Sequence, residues 1–201
     1  TFKRLSYDPI KDFEYISLFA ITQNVLVVHP SLPVKSVREL LAYAKSNPGK
    51  LNMANAGSAS QSHLACVLFT HMAGIDVVHV PYKGGGASVT ALIGNESQVT
   101  ITPAPAVLGH VRGGRLRALA TAGAKRSPLM PDLPTVVESG VAGYLSSGWM
   151  GLMVPARTPK PVLDKLHATL KKVVETPATR EAFERQGAEP TTNTPVEFAK
   201  F

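Results

Sequence analysis

Segments with the pattern of a buried strand alternate with segments of helical periodicity along almost the whole of this 201-residue chain. Strands are expected near 24–30, 51–56, 76–80, 97–102, 116–122 and 148–156, and helices near 36–47, 60–73, 87–93, 103–114, 160–175 and 178–186. Repeated strand–helix–strand units favour a mostly parallel sheet with helices on both faces. The sequence therefore predicts an α/β fold.

Several helix boundaries carry their own signals. Ser36 followed by Glu39 predicts a capping box, and Thr135 with Glu138 predicts one short helix inside a proline-rich loop. The clearest amphipathic helix is 160–175, whose apolar side is formed by Val162, Leu166, Leu170 and Val173 or Val174. The longest apolar runs have the length of strands, well short of the ~20 residues that a membrane span requires.

The charge distribution favours anionic partners. The net charge is +7, and between positions 40 and 131 the only acids are Asp76 and Glu96. The same window contains Lys45, Lys50, Lys83, Arg112, Arg115, Arg117, Lys125 and Arg126. Nucleic acid is not favoured, because these basic residues are dispersed and no aromatic residues alternate with them as stacking platforms. Small anions suit such a positive field better.

Three turns of the acid-poor window are candidates for a ligand site. In open α/β sheets, ligands bind beyond the carboxyl ends of the strands, where loops lead into helix N-termini. That rule selects the turns 55–63, 81–86 and 102–105.

The first turn is the most informative, because it concentrates neutral hydrogen-bond donors at a helix start. Free amides and the helix dipole would attract an anion, Gly57 would let the backbone approach it, and serine hydroxyls would donate to carboxylate oxygens. The candidate ligand-binding residues here are Asn55, Ala56, Gly57, Ser58, Ala59, Ser60, Gln61 and His63. The alternative is that one serine is the N-cap and the other polar residues are solvated.

His63 has two interpretations, a ligand contact or a brace that bonds the loop backbone. A hydrolase is not favoured, because no acid lies near His63 and no G-x-S-x-G elbow surrounds a serine. We expect no metal site and no cofactor, since the six histidines lack ligand spacing. The single cysteine, Cys66, excludes an intrachain disulfide and is expected to be a packed small hydrophobe.

The remaining candidate ligand-binding residues are Tyr82, Thr102, Pro103 and Trp149. Tyr82 belongs to a glycine-rich turn that could offer amides, although the turn lacks the order of a phosphate loop and could simply be tight. Thr102 offers a hydroxyl at a strand end, and Pro103 stiffens the wall. Trp149 could stack over a ligand or merely pack between lobes.

Several long motifs carry a resemblance that spans essentially the whole chain. They are SYDPIKDFEYISLFA, LVVHPSLPVKSVRELLAYAKSNPGKLNMANAGSASQSHLA, VHVPYKGGGASVTALIGN, VRGGRLRALATAGAKRSPLMPDLPTVVESGVAGY, PARTPKPVLDKL and GAEPTTNTPVEFAKF. The chain resembles the extracytoplasmic solute receptors of tripartite tricarboxylate transporters, the Bug-type receptors. It departs from their pattern at Ala59, where glycine is common, at Met53, where an aromatic is common, and at Thr102–Pro103, where Asp or Asn is common.

The resemblance implies a periplasmic-binding-protein type II (Venus-flytrap) fold that closes around a small organic carboxylate. It implies an exported, periplasmic protein that hands its solute to the membrane permease subunits of the transporter. Positions 22–147 would form a complete second lobe, and positions 1–21 with 148–201 an incomplete first lobe whose N-terminal part, with any leader, is missing here. We therefore expect weak solute affinity for this chain alone, and a homodimer through its exposed apolar surface.

Two other function classes stay open at the level of sequence. The effector-binding domain of a transcription regulator can share this bilobal fold, but it would need a helix-turn-helix, and the sequence shows none. An enzyme would need an acid–base pair at the candidate turns, and those turns contain no acid. A solute-binding receptor without catalysis is the leading hypothesis.

Overall fold

The computed structural model describes residues 5–128 and 130–201. The strands are β1 Phe13–Val28, β2 Asn52–Asn55, β3 Val78–Pro81, β4 Val99–Pro103, β5 Arg117–Thr121, β6 Ser147–Pro155 and β7 Ala188–Pro190. The helices are α1 Val37–Ser46, α2 Gln61–Ala73, α3 Gly85–Ile93, α4 Ala104–Arg112, α5 Lys160–Val174, α6 Pro177–Arg185 and α7 Pro195–Lys200. None of the helices in the described part of the chain is long and apolar enough to cross a membrane.

The described residues divide into two compact units. Gln23–Gly148 form one unit, and the residues up to Thr22 together with Trp149–Phe201 form the other. We call the first the central unit and the second the terminal unit.

The sheet of the central unit is mixed rather than mostly parallel. Its strand order is β3-β2-β4-β1-β5, with β2 parallel to both β3 and β4. β1 runs antiparallel to its neighbours β4 and β5, which disagrees with the predicted direction. Both neighbours are distant from β1 in sequence, so no short strand–helix–strand crossover fixes its direction.

Helices cover both faces of this sheet, as the sequence predicts. One face packs a core that includes Leu26, Met53 and Phe69 against α1 and α2. The other packs Val25 and Val27 against α3 and α4. The alternation of apolar side chains along β1 therefore supplies both cores.

Helix ends follow local signals with two exceptions. Ser36 Oγ accepts the Glu39 N–H as the N-cap of α1, but the Glu39 carboxylate accepts from Lys35 N–H, so the predicted capping box is only half formed. Thr135 and Glu138 exchange both capping bonds, yet they close turns rather than a short helix. Gly140 follows at φ +106°, outside the helical region, so these turns do not extend into a helix.

In the terminal unit, β7 pairs antiparallel with the middle of β1, from Ala20 to Thr22. Ser17 and Asn193 fasten this region, because Ser17 Oγ accepts the Asn193 N–H at 3.0 Å and the Asn193 side chain accepts the Leu18 N–H at 2.8 Å. α7 is closed by a complete capping box between Thr194 and Glu197. The sequence prediction lacked β7, α7 and the first half of β1.

Candidate functional site

The candidate site lies at the edge of the central sheet where β2, β3 and β4 end. β2 pairs in parallel with β3 as far as Asn55 and Pro81, and it also runs parallel to β4. α2, α3 and α4 each begin within a few residues of these strand ends. The three predicted turns therefore share one edge, where the first amides of three helices lack intrahelical partners.

The loop between β2 and α2 is held by its own side chains. Asn55 Oδ1 accepts a hydrogen bond from the Gly57 N–H at 3.1 Å. Ser62 Oγ accepts one from the Ala56 N–H at 2.9 Å, which ties the start of the loop to the first turn of α2. The loop is therefore set in shape before any solute arrives.

Two residues of this loop have left-handed backbone. Gly57 has φ +117°, and a Cβ there would lie 3.2 Å from the Tyr82 carbonyl oxygen. Ala59 has φ +61°, a conformation that costs a non-glycine residue about 1–2 kcal/mol. Glycine would fit at 59 without that cost, and alanine needs a local interaction to hold it there.

The serines of α2 serve mainly as acceptors for the backbone. Ser60 is the N-cap, and its Oγ accepts the His63 N–H at 3.2 Å. The Oγ atoms of Ser60 and Ser62 are themselves 3.2 Å apart and share one hydroxyl hydrogen. Together these two serines keep at most one hydroxyl hydrogen for a solute. Ser60 therefore fits the alternative interpretation, in which one serine is the helix N-cap.

Three donors of the loop remain open. The backbone amides of Ser58, Gln61 and Ser62 have no hydrogen-bond partner within residues 5–128 and 130–201. The side chains of Ser58 and Gln61 are exposed, whereas Ser62 is buried. Unpaired amides at a helix start carry the positive end of the helix dipole and suit an anion.

His63 braces the loop. Its Nδ1 accepts the Ala59 N–H at 3.0 Å, so the contact is with a backbone donor. Its ring meets His79 of β3 edge to face, with ring centroids 5.9 Å apart. Burial and then the neighbouring His63 lower the pKa of His79 from its ordinary value, which favours the neutral form of that ring.

The other two turns contribute backbone more than side chains. The Tyr82 hydroxyl lies 3.1 Å from Ser97 Oγ, while its N–H donates to the Asn55 carbonyl at 2.9 Å. Thr102 is buried in β4, and Pro103 is the N-cap of α4, where it makes no side-chain cap. Trp149 belongs to the terminal unit, where it is half-exposed and packs on Phe198 and Phe201.

Beside the predicted Asn55, the structure adds polar groups at the same edge that sequence reasoning missed. Four buried side-chain atoms have no hydrogen-bond partner among the described residues: Gln23 Oε1 and Asn24 Oδ1 within β1, Asn55 Nδ2 at the end of β2 and Thr121 Oγ1 at the end of β5. Leaving such a group unpaired costs about 1–3 kcal/mol. The available signal in the sequence was the pair of adjacent side-chain amides, Gln23 and Asn24, at the start of an apolar run.

The acids of this window lie away from the site. Asp76 and Glu96 precede β3 and β4, so they sit at the opposite edge of the sheet from the loop. Cys66 is fully buried, and burial raises the pKa of its thiol to about 12, so it is a packed side chain and not a nucleophile. In the described part of the chain no group of three His, Cys, Asp or Glu side chains could hold a metal ion.

Comparison with known proteins shows the family to which this chain belongs. Residues 1–201 match the family described as the tripartite tricarboxylate transporter family receptor. The chain belongs to this receptor family. The predicted resemblance is confirmed by a Cupriavidus necator UPF0065 protein, 35% identical over 98% of this chain and 60% of that protein. It is also confirmed by BugT of Bordetella pertussis, 35% identical over 95% of this chain and 59% of that protein.

Solved receptors of the family confirm the predicted fold class. A TM-score of 0.95 relates the chain to R. palustris Rpa4515, at 32% identity over 99% of this chain and 67% of that one. The periplasmic binding protein BugD gives 0.91, at 31% identity over 96% and 66%. The matched family is described as a receptor and BugD as a periplasmic binding protein, in agreement with the expectation of a receptor rather than an enzyme. The chain spans about 60% of the length of the curated relatives it matches.

Proposed function

We propose that this protein is the periplasmic receptor that captures a small organic carboxylate for a tripartite tricarboxylate transporter. The observation that carries the proposal is the set of unpaired amides at Ser58, Gln61 and Ser62, at the start of α2. They lie at an edge from which Asp76 and Glu96 are absent. A carboxylate can accept from two or three such amides without a counter-charge.

Relatives supply the solute class. R. palustris Rpa4515 was solved with adipate, and MatC from Rhodopseudomonas palustris, 29% identical with a TM-score of 0.90, with bound malate. Both solutes are dicarboxylates, one plain and one hydroxylated. We propose the same class here, with Asn55 Nδ2 as a further donor that lacks a partner among the described residues.

The lobe assignment belongs to the same proposal. Positions 22–147 would be the second lobe of the receptor, and positions 1–21 with 148–201 would belong to the first. Tyr82, Thr102, Pro103 and Trp149 stay proposed solute contacts of the whole protein, which would pass the solute to the permease subunits. Because the relatives are longer than this chain, we expect only weak affinity from the chain alone.

Backbone NMR of the ¹⁵N-labelled 201-residue chain tests the proposal. We expect adipate or malate to shift the amides of Ser58, Gln61 and Ser62, and the dimethyl esters, which lack the charge, to leave them unmoved. Sodium sulfate at matched ionic strength separates specific from general anion binding by a chain of charge +7. In Ser58→Asp the added negative charge should abolish the shifts. Shifts spread over the basic surface, or equal shifts with the esters, would contradict the proposal.

The expected homodimer is tested separately. Exposed apolar side chains of the terminal unit include Trp149, Met150, Val162 and Phe201, and we propose that they drive self-association of this chain. Light scattering should give a mass that rises with concentration. A monomer at every concentration would contradict this part of the proposal and leave the carboxylate site untouched.

A further inference from the structure

Among the described residues, His63 is the one side chain that forms a hydrogen bond with the Ala59 backbone. The Ala59 backbone is left-handed at φ +61°, and its N–H donates to His63 Nδ1 at 3.0 Å. A backbone N–H can only donate, so Nδ1 must be an unprotonated acceptor and the ring hydrogen must be on Nε2. The hydrogen bond and a second ring proton therefore compete for the same lone pair.

Among the described residues, the hydrogen bonds and ring contacts of His63 include no group that would stabilise a positive charge. The facing ring is His79 of β3, whose Nδ1 is buried without a partner among the described residues and whose Nε2 lies 3.3 Å from Thr70 Oγ1. On α2 the neighbours are Ser60, which caps the His63 amide, and Ser62. In the part of the chain that the structure describes, no carboxylate, lysine or arginine forms a hydrogen bond or ion pair with either ring.

From this arrangement we propose that His63 is a positioning residue that must be neutral to hold the shape of the loop between β2 and α2, so that acidification loosens that loop. Protonation at Nδ1 would place two donors opposite each other, and Ala59 would lose the hydrogen bond to His63 that offsets its strained backbone. Ser58 precedes Ala59 and Gln61 follows it by two positions, so amides proposed to grip the carboxylate would lose their alignment. The effect on affinity rests on the proposed function, whereas the effect on the loop does not.

Histidine is the side chain that ordinarily titrates between about pH 5 and pH 8, and the test uses that range on the 201-residue chain. ¹⁵N shifts of the His63 ring at about pH 8 should show a bare Nδ1 and a protonated Nε2. On lowering to about pH 5, the Ala59 amide should shift in step with the His63 ring and lose about tenfold of its exchange protection.

Matched variants separate a positioning role from a merely structural one. His63→Asn keeps an acceptor at the δ position without a titrating proton, so Ala59 should stay protected at both pH values. His63→Leu should lose protection at both, and Ala59→Gly should make the loop less dependent on residue 63, because glycine adopts this backbone freely. His71→Leu, at an exposed position of the same helix, is the control and should leave Ala59 unchanged.

Solute titrations with adipate and malate complete the design. Affinity should fall between the two pH values in the wild type and much less in His63→Asn, which corrects for protonation of the solute itself. Absence of binding at either pH would contradict the proposed function, and the Ala59 amide would then decide the inference alone. An Ala59 amide that ignores His63 protonation, or equal behaviour of the Asn and Leu variants, would overturn it.

Discussion

The two compact units bury their helices to very different extents. In the central unit α2 has little amphipathic character, yet it buries Ala65, Cys66 and Phe69. In the terminal unit α5 has the clearest apolar side in the sequence, yet its only buried residue is Val174. Val162 and Val173 of that side are 45% and 49% exposed. Amphipathic periodicity thus shows that a helix has an apolar face, and tertiary contacts decide whether anything covers it.

This difference in burial indicates which unit contributes most of the stability of the chain. Both extended hydrophobic clusters lie within the central unit. The terminal unit relies on β-pairing, on the Ser17–Asn193 bonds and on aromatic contacts such as Tyr15 with Phe198. We expect the central unit to set the global stability and the terminal unit to open locally first.

Removing one phenylalanine from each unit should give the largest contrast. Phe69 is fully buried and packs edge to face on Tyr144 at 5.6 Å, so Phe69→Ala should cost about 3–5 kcal/mol of unfolding free energy. Phe183 is half-buried and meets Phe19 at 6.5 Å, so Phe183→Ala should cost about 1 kcal/mol. Urea unfolding followed by circular dichroism measures both, and equal costs would refute the contrast.

Hydrogen bonds and ion pairs of the two units should differ in the same direction, with smaller losses of unfolding free energy. In the central unit Arg117 donates to the carbonyls of Leu32 and Val34 at 3.2 and 2.9 Å, and Arg117→Ala should cost about 1.5–3 kcal/mol. In the terminal unit Lys160 pairs with Asp164 across one exposed helical turn, and Lys160→Ala should cost about 0.5 kcal/mol or less. A larger loss for the lysine variant in the same urea experiment would reverse the comparison.

What could be predicted from the sequence follows the same division. The helices on both faces of the central sheet and the position of the loop between β2 and α2 could be predicted, because local periodicity and short strand–helix connections determine them. The length and direction of β1 could not, since its partners β4, β5 and β7 are far from it in sequence. α7 did have a local signal, Thr194 followed by Glu197, that the prediction overlooked.

In the candidate site, the roles of individual side-chain atoms could not be predicted from the sequence either. A donor-rich turn was visible in the sequence, but the roles of its side chains depend on backbone that only the folded loop defines. His63 reaches the Ala59 amide because Ala59 is left-handed. The hydroxyl of Tyr82 is taken by Ser97, which no spacing rule places beside it.

Within the central unit, two glycines test whether the loop is as constrained as the core. Gly57→Ala should cost about 1–3 kcal/mol, because φ is +117° and the new Cβ would meet the backbone oxygen of Tyr82. Gly86→Ala is the matched control, since this helical glycine has open space around it and alanine should stabilise α3 by about 0.5–1 kcal/mol. Thermal unfolding of both variants would show opposite signs, and two equal shifts would contradict the assigned backbone strain.

The pH dependence of stability should give the smallest difference between the two units. It also shows which unit loses stability in acid. The Thr135 N–H bond, and then Arg126, lower the pKa of Glu138 in the central unit. The Thr194 N–H bond, and then the Thr194 hydroxyl, lower the pKa of Glu197 in the terminal unit. A carboxyl whose pKa is lower in the folded state stabilises the protein above its unfolded pKa, ordinarily near 4.3. That contribution is lost as the pH falls through the folded value.

Glu138→Gln and Glu197→Gln should therefore each lower stability at neutral pH and lose that effect in acid. If the terminal unit opens first, Glu197→Gln should change hydrogen exchange in α7 while leaving the global unfolding midpoint nearly constant. Glu138→Gln should shift the midpoint itself, because its turn closes onto the central sheet through the Thr121–Thr135 bridge. A global shift from Glu197→Gln would show that the two units unfold together, since a local contact can change the midpoint only when its loss is coupled to the core.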